Sequence, residues 1–72
     1  MEKVDLVKIL GNEARKARKE LSITQFDLAE KVGKTRNCIS LIERGKREPG
    51  VVTFLKIWKE LGKKTDELNN FV

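Results

Sequence analysis

Histidine is absent from the 72 residues and cysteine occurs once, at Cys38. Without imidazole the usual general base at neutral pH is missing. A lone thiol forms no internal disulfide, and with no second soft ligand it assembles no zinc site. No glycine-rich phosphate loop opens a helix, and no nucleophile stands beside an evident base. The chain is therefore expected to be no enzyme and to need no metal or cofactor. No apolar run approaches the roughly 20 residues that span a bilayer, and the N-terminus lacks the apolar core of a signal peptide. These absences point to a soluble, reducing, cytoplasmic setting with no membrane partner. Proline is confined to Pro49, and no repeat, low-complexity tract or linker divides the chain, so residues 1–72 read as one domain.

Charge is plentiful. Sixteen basic residues face eleven acidic ones, giving +5 and a pI near 9.6. That balance favours a polyanionic partner, although solvated helical domains are often as basic. The charges are dispersed, so no block marks a disordered tail. A chain this short buries only roughly 60% of its unfolded surface and depends on dense local packing.

Apolar spacing is helical throughout, with no sustained alternation of the strand type. Leu6, Leu10, Ala14, Ala17 and Leu21 form one stripe of a first helix, with Asp5 as its expected cap. Thr24 caps a second, short helix carrying Leu28, Ala29 and Val32 and stopping at Gly33. Thr35 caps a third that runs to Arg44 and stops at Gly45. Pro49 and Gly50 precede a fourth, with Val51, Phe54, Ile57, Trp58 and Leu61 inward and Gly62 at its end. Thr65, Asp66 and Glu67 resemble the start of a short fifth helix holding Leu68. The expectation is an all-α, compact five-helix domain.

At about 100° per residue, Ile39 and Ile42 share one side of the third helix. Asn37, Ser40, Leu41 and Arg44 point the opposite way, with Arg36 on the flank of the first turn. Such a face is either ordinary solvated surface or a base reader. Arginine can be bidentate to guanine, asparagine bidentate to adenine, and an aliphatic group can touch a thymine methyl. The second helix adds context. Ala29 is small where two helices would cross, Gly33 suits a left-handed turn, and Leu28, Val32, Ile39 and Ile42 fill the wedge between. These demands describe a helix-turn-helix over about residues 25–44.

The stretches "ARKARKELSITQFDLAEKVGKTRNCISLIERGKREPG" and "FLKIWKELGKKTDEL" resemble the DNA-binding domains of the lambdoid phage repressor and Cro (XRE-like) family, from about Leu6 to Leu68. The resemblance implies a lambda repressor-like fold whose third helix lies in the major groove. It implies base contacts from Arg36, Asn37 and Leu41, with Ser40 close by. It implies that Gln25 touches a phosphate and braces the recognition helix, and that Arg44, Lys46 and Arg47 lie near the backbone. Thr24 and Thr35 sit at helix starts, whose free N–H groups suit phosphate. It also pairs Arg18 with Glu43.

Some positions depart from the family pattern. Leu41 stands where a polar reader is common, so it reads a methyl group or meets a partner. Cys38 occupies a place often held by a small hydroxyl residue; core-edge packing and redox sensing are both open. Trp58 replaces a usually small residue and reads as core. Phe71 and Val72 are either a frayed end or a dimer seam. The function expected is a regulator, in the repressing sense, that binds double-stranded DNA at a pseudo-palindromic operator as a homodimer. Relatives sharing these helices include antitoxins, which also bind a toxin, and restriction–modification controllers. A protein-interaction module on the same fold is the reading from another class.

Overall fold

The structure is a computed structural model that describes residues 2–63. Four helices follow one another: α1 (Lys3–Glu20), α2 (Gln25–Val32), α3 (Arg36–Glu43) and α4 (Val51–Glu60). All of the regular structure among the described residues is helical. The fifth helix expected around Thr65–Leu68, and the tail residues Phe71 and Val72, lie outside the described residues.

Helix α3 packs against α1 and α2, and α2 also packs against α4. Ala14, Leu28, Ala29, Val32, Ile39, Ile42, Ile57 and Leu61 form the buried cluster, with Ala17, Ile23 and Cys38 packed at its edge. Trp58 is only 1% exposed, and Phe54 stacks on it with ring centroids 4.9 Å apart. The thiol of Cys38 is half-buried, which matches packing at the edge of the core.

Three local expectations change. Asp5 does not cap α1. The helix begins at Lys3 with Glu2 in the N-cap position, so Asp5 falls in the first turn, where its charge complements the positive helix end. Leu21 leaves the stripe because α1 stops at Glu20. As C-cap it is 50% exposed, and Ile23 packs against the core beyond it. Val51 is 76% exposed. As the first residue of α4 it has no preceding turn to cover it, and it lies on the rim of an apolar groove shared with Leu6, Leu10 and Phe54.

Gly11 was not part of the apolar stripe, yet it is buried. A Cβ there would collide with the Ile42 carbonyl oxygen and reach within 3.1 Å of that of Glu43. Glycine in mid-helix costs about 0.5–1 kcal/mol against alanine. Here it lets α1 lie directly on the end of α3 and so sets the position of that helix.

Candidate nucleic-acid interface

Both helices of the motif are started by threonine. Thr35 accepts the Cys38 N–H on its hydroxyl at 3.1 Å. Thr24 accepts the Asp27 N–H at 3.0 Å, and Asp27 returns a carboxylate oxygen to the Thr24 N–H at 3.1 Å. This reciprocal pair is a capping box. The backbone and hydroxyl of Thr24 both act on Asp27 and hold its carboxyl below the usual carboxylate range. Each threonine hydroxyl accepts through a lone pair and keeps a proton to donate.

The turn between the helices is closed by Gly33 at φ 71°, with the Lys34 N–H on the Ala29 carbonyl at 2.8 Å. Gly45 closes α3 in the same left-handed conformation, at φ 70°. There the Lys46 and Arg47 N–H groups converge on the Leu41 carbonyl at 2.8 and 3.3 Å. This wrap turns the chain sharply and leaves both basic side chains exposed just past the helix.

Along α3, Arg36 and Asn37 are exposed, Ser40 and Leu41 half-buried, and Arg44 exposed at the C-cap. The Arg44 side chain folds back, with Nε donating to the Ser40 carbonyl at 3.4 Å. Among the described residues no carboxylate pairs with Arg36, Lys46 or Arg47. The single acidic residue of α3 is Glu43, and it faces inward. The exposed side of the helix is therefore net positive.

Glu43 is held by a network that joins three helices. Arg18 Nε donates to Glu43 Oε2 at 2.7 Å and Arg18 Nη2 to Oε1 at 3.2 Å. The third guanidinium contact goes to the Ile23 carbonyl at 2.8 Å. Gln25 Nε2 donates to Glu43 Oε1 at 3.1 Å. The Arg18 and Glu43 side chains are 10% and 1% exposed. A bidentate, multiply hydrogen-bonded pair at this depth fixes direction as well as distance. It ties the end of α3 to α1 and to the first turn of α2. Gln25 thus braces α3 directly, and its second amide proton remains to donate.

Three neighbours of this face were missed in the sequence. Asp27 was legible, since threonine followed three residues later by an acid is a capping signature; it places a carboxylate at the start of α2. Asn12 and Arg15 of α1 share one concavity with Gln25, Ser40 and Arg44. That meeting depends on how α1 crosses α3, for which the chain carries no local signal. No cluster of His, Cys, Asp and Glu among the described residues is placed to hold a metal. No helix among them is long and apolar enough to cross a membrane.

The arrangement is an exposed, cation-flanked helix held rigidly on a scaffold, with donors but no acid on its outer side. Such a surface suits a polyanion, and an arginine and an asparagine are among its exposed donors. Known proteins agree with that geometry. Residues 15–68 match the Helix-turn-helix family HTH_3, of the XRE type. An uncharacterized HTH-type transcriptional regulator of Methanothermobacter thermautotrophicus is 43% identical over 49 residues, 68% of this chain and 71% of that one. A similarly described regulator of Sinorhizobium fredii is 31% identical over 59 residues, 82% of this chain and 77% of its own. The crystal structure of the restriction-modification controller protein C.AhdI from Aeromonas hydrophila superposes with a TM-score of 0.78 at 34% identity, covering 89% of this chain and 96% of that one. The chain belongs to the XRE-type helix-turn-helix family of DNA-binding transcriptional regulators.

Proposed function

We propose that the chain binds a pseudo-palindromic operator as a homodimer, lays α3 in the major groove and represses transcription by occluding a promoter. The observation that carries this reading is the outward side of α3. Arg36 and Asn37 stand exposed at a capped helix start, while the helix's only carboxylate is consumed inside by Arg18. In this reading Arg36 and Asn37 contact base edges, with Ser40 beside them and Leu41 touching a thymine methyl. Thr24, Gln25, Thr35, Arg44, Lys46 and Arg47 hold the backbone. Residues 1–72 act as one cytoplasmic domain. The reading involves no catalytic step, metal or cofactor.

A second reading is favoured by one observation, the 34% identity to a restriction-modification controller over 89% of this chain. In that role the same face reads an operator, and the position of the operator relative to the promoter sets the sign of regulation. Substituting Arg36→Ala tests the face common to both. It is expected to cost about 1–3 kcal/mol in operator binding and to relax discrimination at one base pair of each half-site. An equal loss on every duplex sequence would reduce Arg36 to a phosphate contact and remove the base-reading claim.

A further inference from the structure

Phe26 has no task in the fold. It is the second residue of α2 and is 57% exposed, an unusual place for a phenyl ring in so small a domain. The apolar contacts that anchor the start of α2 are made by its neighbours, with Leu28 fully buried and Ile23 packed against the same cluster. Helical side chains lean toward the N-terminus, so a ring at this position covers the turn that precedes its own Cα. The ring accordingly lines one concavity with Ser22, Thr24, Gln25 and Arg36. That concavity joins the start of α2 to the start of α3. Its lining includes both the phenyl ring and the Arg36 guanidinium, which pairs with no carboxylate among the described residues.

We propose that Phe26 is a DNA-contacting residue whose ring packs on a deoxyribose at the outer edge of each half-site. The proposal rests on the DNA-binding reading and deepens it. A nucleic-acid backbone alternates an anionic phosphate with an apolar sugar face, and the concavity offers the Thr24 and Gln25 donors for the first and the Phe26 ring for the second. Arg36 and the donors of Thr24 and Gln25 lie beside the ring, so the apolar surface is continuous with the positive one. The occupant is the sugar rather than a base, because α2 runs along the backbone while α3 enters the groove. Ser22, at φ 57° the one non-glycine residue with positive φ among those described, turns the chain so that the α1–α2 loop lines the floor of the same concavity.

The test compares the 72-residue chain with its Phe26→Ala and Phe26→Leu variants on an operator recovered by selection from random duplexes. Phe26→Ala is expected to weaken binding about tenfold or more, the scale of a partly buried phenyl face. Phe26→Leu is expected to recover most of that loss. The slope of log affinity against log salt stays unchanged, since no phosphate contact is removed. Replacing thymidine by deoxyuridine at the flanking positions leaves the ratio of wild type to Phe26→Ala unchanged. Thermal midpoints of both variants match wild type, because the ring is exposed. Equal affinity of Phe26→Ala and wild type would overturn the proposal. An effect that vanishes on the methyl-free duplex would overturn it in favour of a thymine methyl. If wild type itself selects no sequence, it is the DNA-binding reading that fails.

Discussion

Removing the Glu43 carboxylate should be the most damaging side-chain deletion on the α1–α3 seam. In Glu43→Ala the guanidinium of Arg18 keeps one partner, the Ile23 carbonyl at 2.8 Å, and loses two bonds at 2.7 and 3.2 Å. Its side chain is only 10% exposed, so water cannot replace what is lost without the helices parting. Stranding one member of a buried pair costs about 3–5 kcal/mol. A domain of 72 residues has a total stability of roughly 4–11 kcal/mol at about 0.05–0.15 kcal/mol per residue. The variant should therefore lose about a quarter of its stability or more, and a thermal midpoint at least about 12 °C lower follows from about 4–8 °C per kcal/mol. Most of the loss is the unpaired charge and not the net worth of the pair. Replacing both partners, as in Arg18→Met with Glu43→Leu, should thus recover much of it. Thermal denaturation followed by circular dichroism on wild type, Arg18→Met, Glu43→Leu and the double variant closes the cycle, with Glu43→Ala measured beside it. A Glu43→Ala loss under about 1 kcal/mol would place the pair among exposed ion pairs and refute the network as the lock on α3.

Gly11→Ala should lower the melting midpoint even though alanine is the better helix former. The new Cβ meets the backbone carbonyls of Ile42 and Glu43, which cannot swing aside, and overpacking of that kind costs about 1–3 kcal/mol. A raised midpoint would show that α1 does not approach α3 so closely. The Asp27 carboxyl, held down by the Thr24 N–H and hydroxyl, should titrate below the ordinary aspartate range in a carboxyl-resolved NMR experiment. Its folded pKa is depressed, so the cap contributes stability above the unfolded pKa and loses it as pH falls through the folded one. Asp27→Asn should remove that part of the acid dependence, and an unshifted or raised midpoint would contradict the capping account. Operator affinity should fall with salt at a slope near −7, from roughly eight phosphates neutralised per dimer. A slope near zero would deny the positive face its role.

Much of this architecture was legible because its signals are local. Thr35 starts α3 and Gly45 ends it, through hydrogen bonds that span only a few residues. Thr24 and Gly33 do the same for α2. Apolar spacing placed Leu28, Val32, Ile39 and Ile42 in the core because each lies inside a helix long enough to define a face. The errors fall at helix ends, at Asp5, Leu21 and Val51, where a residue's direction depends on which turn begins or closes the helix. What the chain could not announce is long-range. Arg18 and Glu43 are separated by 25 positions, and only the family resemblance brought them together. Gly11 reads locally as a weak point in a helix and is intelligible only once the end of α3 lies against it. Asn12 and Arg15 join the edge of α3 for the same reason.

The proposed base-reading role of α3 is tested most directly by selecting bound duplexes from a random-sequence library at near-physiological salt. The account predicts an enriched inverted repeat with half-sites centred about 34 Å apart, one turn of DNA, as two-fold related recognition helices require. Failure of a folded, helical protein to enrich any motif would contradict it, and the outward side of α3 would then be a surface for some other partner.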